Sequence, residues 1–505
     1  MRRVRLLAGF ALAVLHGAAL PAAAASGTAL PAGGGDTLAL TLREAVLGAL
    51  ARHPTVTIQR RQTEIARAAS RAAGSAFEPE LAVTVSGSEA KSQRFLGANP
   101  TPFELTSEQR RYGATLGARL PVGADVSVNA AVSGSLSSIY TDQYSGEIGV
   151  SVTQSLLRGF GPGPNLAELR RARRDVELSQ IELEEVGARL VAEVETAYWE
   201  LYLAGQEQRI QQESLALAQR QLEESRERVA VGRLPDLELA AVRAELATRD
   251  KVLIDARSRH ERTRLDLLSL LNPDSAGVWQ CALVPVDTPS VPVAGLDSLA
   301  VHEELALRCR TDLRQARLQL AKAELEVVRT RNGLLPRLDL FIALGRTTYA
   351  RSFADGLPDL GSPFYSASVG ASFEVGAANL RPRAEHARAL ATEDQAALAL
   401  RNMELLTRRD VRAAYVEAWR SAQQIEASRV ARELQQQKLA AEQEKFRVGR
   451  STNFLVLQAQ RDLTGSQLDE ARARVAHLLA LLELQRLDGT LLARRGIGVA
   501  APPPD

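Results

Sequence analysis

The sequence predicts an internally duplicated α+β membrane protein, in which a β-barrel too large for one chain to close is continued by a long α-helical coiled-coil barrel. Three observations carry that fold class: segments of alternating apolar and small residues, two very long stretches whose only helix breakers are Gly187, Gly205 and, in a first turn, Pro382, and a chain that repeats itself at fixed offsets. The 505 residues are 45% hydrophobic, 24% charged and only 4% aromatic, which excludes a disordered chain and a bundle of membrane-spanning helices and favours long solvated helices over one aromatic-rich core. The 62 basic residues include only five lysines and alternate with 60 acidic ones along the same stretches, so nucleic acid is excluded as a partner.

Residues 1–25 read as a secretory signal peptide: Arg2, Arg3 and Arg5 precede an apolar run, and the small residues after Leu20 offer a cleavage site behind Ala25. Removing three arginines and no acids leaves the mature chain with one acid in excess. No later stretch is long and apolar enough for a membrane-spanning helix. Cys281 and Cys309 allow one disulfide or two isolated buried thiols, and neither lies near the cleavage site.

The repeat organises the rest. Ala49-Leu50 matches Ala306-Leu307 and Pro79 matches Pro336, both displaced by 257 residues. Ser151, Ala197-Tyr198 and Val231-Gly232-Arg233 match Ser368, Ala414-Tyr415 and Val448-Gly449-Arg450, displaced by 217. An insertion of 40 residues therefore lies between Pro79 and Ser151. The expected divisions are a first repeat over 26–271, a linker over 272–298, a second repeat over 299–488 and a C-terminal tail over 489–505.

Period-two alternation predicts strands over 81–85, 112–120, 125–132 and 147–152 in the first repeat, and over 338–340 and 365–373 in the second. Aromatics gather at their margins (Phe95, Phe103, Tyr112, Tyr140, Tyr144, Phe341, Tyr349, Phe353, Phe364 and Tyr365), the pattern of a transmembrane β-barrel. The intervening stretches 166–230 and 380–447 predict helices about 97 and 102 Å long at 1.5 Å per residue. Each returns, after a VGR turn, through a second helix, 237–271 or 454–487, to make an antiparallel hairpin. Shorter helices over 42–73 and 299–331 open the halves. The linker reads as a small strand-and-turn element packed on the helices, and residues 500–505 as a disordered tail. Gly159-Phe-Gly-Pro-Gly163 reads as a strand-to-helix joint at the membrane surface.

Closure implies an oligomer. An open sheet edge is not viable in lipid, and about eight strands are the least that close a barrel. The chain offers four strands, or six if the insertion joins the sheet. Strand counting alone leaves dimer and trimer open.

At RVAVGRLPDLELAAVRAEL and KFRVGRSTNFLVLQAQRDL the chain closely resembles the outer-membrane efflux proteins, the TolC-like channels. The signal peptide, the duplicated helix-strand-strand-helix plan, His53-Pro54 and Leu335-Pro336 extend the match over about residues 41–490. The resemblance implies a homotrimer in the outer membrane of a Gram-negative-type bacterium, with a long periplasmic tunnel. It further implies a periplasmic adaptor and an inner-membrane pump of RND, ABC or MFS type as partners, outer-membrane lipid around the barrel, no cofactor, and export without enzymatic chemistry.

By position, the adaptor-docking tips are Gly232, Arg233, Leu234, Pro235 and Asp236 on the first hairpin and Gly449, Arg450, Ser451, Thr452 and Asn453 on the second. The alternative for VGR is a helix cap and turn only; the two readings are compatible. In the family a Tyr and an Arg on the second hairpin bond an acid on the first to close the gate. Here Glu238 keeps the acid, but Phe446 stands at the Tyr position and Ser451 at the Arg position. Leu455 and Gln458 replace the two acids of the entrance, so the resemblance implies a channel without that acidic ring.

No lysine follows a glycine in a phosphate-loop pattern, and the residues show no metal-ligand spacing. His16, His53, His260, His302, His386 and His477 are expected at the surface, and Tyr198 and Tyr415 as packing residues, with a lumenal position as the alternative for both tyrosines. The competing readings are a soluble periplasmic coiled-coil scaffold, with the strands as a capping domain, and an enzyme whose site leaves no motif.

Overall fold

A computed structural model describes residues 37–94, 103–137, 143–231, 235–273, 276–290 and 296–498. The expected signal peptide and residues 500–505 lie outside the described residues, as do Gly232, Arg233 and Leu234. Along the first half run β1 (Thr37–Leu40), α1 (Leu42–Arg52), α2 (Pro54–Gly74), β2 (Glu80–Arg94), β3 (Phe103–Leu120), β4 (Ala124–Ser137), β5 (Gln143–Ser155), the single turn α3 (Pro162–Asn165), α4 (Ala167–Ala230) and α5 (Asp236–Leu271). There follow β6 (Ala282–Pro285), α6 (Leu299–Cys309), α7 (Thr311–Gly333), β7 (Arg337–Ala350), β8 (Tyr365–Glu374), α8 (Leu380–Arg447), α9 (Asn453–Leu487) and the short α10 (Leu491–Arg494).

The long helices begin and end within one residue of expectation because nothing between their caps breaks them. The opening helices do not: each is two helices. Proline disfavours helical backbone at the residue before it, and His53, at φ −63° and ψ 127°, ends α1 and caps α2 by accepting from the Thr55 amide at 3.3 Å. Arg310, at φ −60° and ψ 128°, breaks the second helix without a proline, its guanidinium held by Asp312 at 2.9 Å and Asp410 at 3.6 Å.

The strands form one antiparallel sheet in the order β2-β3-β4-β5-β7-β8. The insertion thus supplies β3 and β4, and among the described residues this sheet has six strands. The pairing places Leu81, Leu116, Val128, Val150, Leu344 and Ala367 in one row across all six strands, and Val126, Val152, Ile342 and Val369 in the next, on an exposed apolar face. The opposite face carries Thr115, Asn129, Gly149, Gly345 and Ser366, with the Ser127 and Ser151 hydroxyls 2.7 Å apart. Near the far end of the apolar face, the Phe353 ring stands edge-on to Tyr112 and Tyr144, with centroids 5.4 and 6.1 Å away. At the other end, Gly159 and Gly161 take positive φ, and Asn165 donates to the carbonyls of Pro121, Gly159 and Gly161, making the expected joint between β5 and α4.

The main hydrophobic core lies halfway along α4, where β1 and β6 form a two-stranded parallel sheet with α1, the ends of α5 and α9, and α10 around them. β1 is absent from the sequence reading, because its partner strand is some 245 residues away. Tyr198 is fully buried there and confirms the packing role. Its hydroxyl lies 3.0 Å from the Leu40 carbonyl, 3.1 Å from the Asp287 carboxylate and 3.1 Å from the Asp287 amide, which donates to it. Burial, with Asp287 beside it, pushes the phenol up to about 12, so it remains a donor at neutral pH. The Asp287 carboxylate in turn accepts from the Leu42 amide at 2.6 Å.

Residues 489–498 do not behave as a loose tail. Leu491 is buried in the core, and Arg495 grips the buried Glu195 carboxylate with bonds of 2.6 and 2.7 Å. Two histidines expected at the surface are buried instead: His302, 2.9 Å from Asp488 and beside the Tyr415 ring, and His477, 3.1 Å from the Ser421 hydroxyl. Burial lowers the pKa of His477 and favours its neutral form. Cys281 and Cys309 are free and half-buried.

Tyr198→Phe leaves the Asp287 amide without its hydroxyl acceptor and is expected to lower stability by about 1–3 kcal/mol. Urea unfolding followed by near-ultraviolet circular dichroism checks this, and an unchanged midpoint would remove Tyr198 as the pin of the β1–β6 element.

Candidate functional site at the hairpin tips

The second tip is built by a helix cap. α8 ends at Arg447; the Gly449 amide donates to the Phe446 carbonyl at 3.2 Å and the Arg450 amide to the Lys445 carbonyl at 2.7 Å, a Schellman closure. This geometry needs a left-handed residue, and Gly449 supplies it at φ +76° with open space around it. Thr452 then caps α9, its hydroxyl accepting from the Leu455 amide at 3.4 Å. Lys445 donates to Glu442 at 2.6 Å and Ser451 to the same carboxylate at 2.8 Å, and these bonds, Lys445's first, hold Glu442 below the usual carboxylate range. Gly449, Arg450 and Thr452 are exposed, Ser451 is half-buried, and Asn453 is buried behind the tip.

On the first hairpin, Val231 ends α4, and exposed Pro235 begins α5, with Asp236 as its first residue. Glu238 is half-buried in the first turn of α5, and among the described residues no hydrogen bond joins it to the second hairpin. Phe446 packs on Leu439, Val456 and Ala459, and the Arg228 guanidinium of the first hairpin sits 4.2 Å above its ring centroid. A ring that cannot donate a hydrogen bond thereby still ties the two hairpins together. Leu455 and Gln458 are exposed on α9, while Val456 and Leu457 beside them are buried.

A polar seam between the hairpins is absent from the sequence reading. Gln221 donates to Asn453 at 2.9 Å. Above it, the buried Arg249 donates to the Ser214 carbonyl at 2.9 Å, to Gln460 at 3.1 Å and to Glu245 at 3.0 Å. Its signal is nevertheless in the chain: Ser214, Gln221 and Arg228 recur every seven residues on α4, as Asn453 and Gln460 do on α9. Among the described residues no group of His, Cys, Asp and Glu is arranged to hold a metal.

A family model described as outer membrane efflux protein matches residues 47–273 and 304–490. The chain belongs to the outer membrane efflux protein family. Among similar proteins, the pyoverdine export outer membrane protein OpmQ of Pseudomonas aeruginosa is 26% identical over 336 residues, 65% of this chain and 67% of that one. OpmQ of Pseudomonas putida is 27% identical over 335 residues, covering 64% and 67%. Among solved structures, a membrane protein from Pseudomonas aeruginosa superposes with TM-score 0.68 at 19% identity, covering 89% of this chain and 90% of that one. The Campylobacter jejuni CmeC outer membrane channel does so with TM-score 0.64 at 15% identity, covering 89% and 86%. The chain thus has the fold of outer-membrane channels, and the family match sets the soluble scaffold aside. α4 and α8 lead away from the sheet, so the hairpin turns stand at the end of the helices remote from it.

Arg228→Ala is expected to weaken the packing of the second tip by about 0.5–2 kcal/mol. Amide hydrogen exchange over residues 443–449 should rise roughly two- to thirtyfold, and Phe446→Leu should raise it without adding to the Arg228 effect. Independent, additive effects would show that the guanidinium and ring are not coupled.

Proposed function

We propose that three copies of this efflux channel close one barrel in the outer membrane and continue as a tunnel through the periplasm, forming the exit duct of a tripartite efflux or secretion system. The six-stranded sheet with two unpaired edges and an exposed apolar face carries this reading. Three such sheets give about 18 strands, a size that leaves a water-filled lumen. The apolar rows from Leu120 to Tyr112 span about 20–25 Å once the strands tilt, enough for the hydrocarbon of an outer membrane. Lipid takes the Leu and Val face, and the Ser, Thr, Asn and Gly face lines the duct.

The tips dock a periplasmic adaptor, and through it an inner-membrane pump, with Gly232–Asp236 and Gly449–Thr452 as the presented surface. Asn453 serves behind that surface through Gln221. Closure at the tip rests on Arg228 against Phe446 and on Gln221 with Asn453, in place of a tyrosine and an arginine bonded to Glu238. Leu455 and Gln458 leave the entrance without an acidic ring, so divalent cations should block the pore weakly.

Two measurements test the reading. Material extracted from outer membranes in detergent should have the mass of a trimer and give long-lived conductance in planar bilayers; a water-soluble species without conductance would overturn the barrel. Gly449→Val forces a β-branched residue into left-handed backbone at about 1–2 kcal/mol, and the expected result is loss of export with the trimer intact. Normal export in both Gly449→Val and Gly232→Val would remove the tips from docking.

A further inference from the structure

Just below the sheet, an open groove of about 490 Å³ runs between α4 and α7. Arg170, Arg173, Arg174 and Glu177 of α4 and Glu324 of α7 supply its charges, beside Leu325 and the exposed Val328. Arg174 is held by Glu177 at 2.7 Å. Among the described residues, the Arg170 and Arg173 guanidiniums and the Glu324 carboxylate bond no other side chain. Like charges three and four residues apart on a helix repel, so three arginines within five residues gain from an anion between them.

The groove opens on the outside of the helices. Arg170, Glu177, Glu184, Val191 and Tyr198 follow one another at seven-residue steps and form one stripe of α4. Farther from the sheet that stripe is covered: Glu184 and Arg314 line a cavity with Leu491 and Leu492 of the C-terminal segment, and Tyr198 lies under β1 and β6. Three copies of those elements inside a ring of helices would fill the duct, so the stripe, and the arginines at its upper end, face outward.

Its height matches the membrane surface. Asn165 donates to the Pro121 carbonyl at 3.2 Å, one residue past the apolar Leu120, so α4 starts at the edge of the band given to lipid. At 1.5 Å per residue, Arg170 and Arg173 lie about 4.5 and 9 Å below that start. Helix side chains lean toward their own N-terminus, here the sheet, which brings both guanidiniums back into a headgroup layer roughly 5–7 Å thick. Arg171 with Glu326 and Asp175 with Lys322 set the two helices level and place Glu324 opposite Arg173. α7 runs the other way, so Glu324 leans away from the sheet and from Arg173. From the membrane outward the groove therefore reads apolar at Val328, cationic at Arg170 and Arg173, and anionic at Glu324 and Glu177.

We propose that this groove binds the headgroup of an ethanolamine phospholipid of the periplasmic leaflet, with the phosphate between Arg170 and Arg173, the ammonium on Glu324 and the root of the acyl chains over Val328. The proposal rests on the reading that lipid takes the apolar face of the sheet. Charge order selects the occupant: such a lipid presents hydrocarbon, phosphate and ammonium in the same sequence as the groove presents their partners. A phosphatidylglycerol headgroup offers the phosphate but no cation for Glu324, and a soluble phosphate offers nothing to Val328.

The test is native mass spectrometry of the full chain, purified in detergent, after addition of phosphatidylethanolamine or phosphatidylglycerol. Arg170→Gln with Arg173→Gln is expected to lower the retained amount of both lipids about tenfold, and Glu324→Gln to lower phosphatidylethanolamine alone about three- to tenfold. Oligomer mass and single-channel conductance should be unchanged in both variants. Equal retention by the unaltered channel and the arginine variant overturns the site, and equal loss of both lipids in Glu324→Gln overturns the ethanolamine assignment. Full displacement by phosphorylethanolamine, which has no acyl chain, overturns the lipid as the source of the headgroup. These outcomes leave a conducting channel in place, whereas a water-soluble species without conductance overturns the barrel and this site with it.

Discussion

A β-sheet that ends inside lipid leaves a row of backbone amides and carbonyls without partners, and the rest of this structure follows from that constraint. Among the described residues, six strands are paired in the order from β2 to β8, and β2 and β8 are the two edges of the sheet. The strand pairing also sorts the side chains: an even register sends Leu81, Leu116, Val128, Val150 and Leu344 to one face and the small polar residues to the other. One face of the sheet is thereby apolar and the other polar.

The helices show the same incompleteness. α4 runs for 64 residues and α8 for 68, yet their buried residues form separate clusters and no single centre. The largest gathers around Tyr198, where β1 and β6 add apolar surface from outside the hairpins, and where Glu195 with Arg495 fastens the C-terminal segment. Elsewhere the helices rely on pairs between neighbours. Stability is thus concentrated at mid-height, away from both the sheet and the tips.

At the tips the packing is polar. Gln221, Asn453, Arg249 and Gln460 sit at positions where a coiled coil usually places leucine, so their contacts specify alignment at some cost in burial. Phe446 is apolar there, packed in a small cluster with the Arg228 cation over its ring.

Local rules were enough for much of this. Long runs nearly free of Gly and Pro, with Pro382 confined to a first turn, specified α4, α5, α8 and α9, the VGR turns located both hairpin ends, and alternation located the six strands of the large sheet, because each depends on residues close in the chain. What tertiary structure decided involves partners far apart. β1 becomes a strand only beside β6, and Arg310 breaks a helix without a proline, at a place where Asp312 and Asp410 meet its guanidinium. His302 and His477 are buried because Asp488 and Ser421 meet them from other helices, and Asn453 leaves the tip surface because Gln221 lies opposite. Composition and spacing describe what a side chain can do; whether a polar group is buried depends on a partner arriving from elsewhere to satisfy it, and that is decided only when the helices pack.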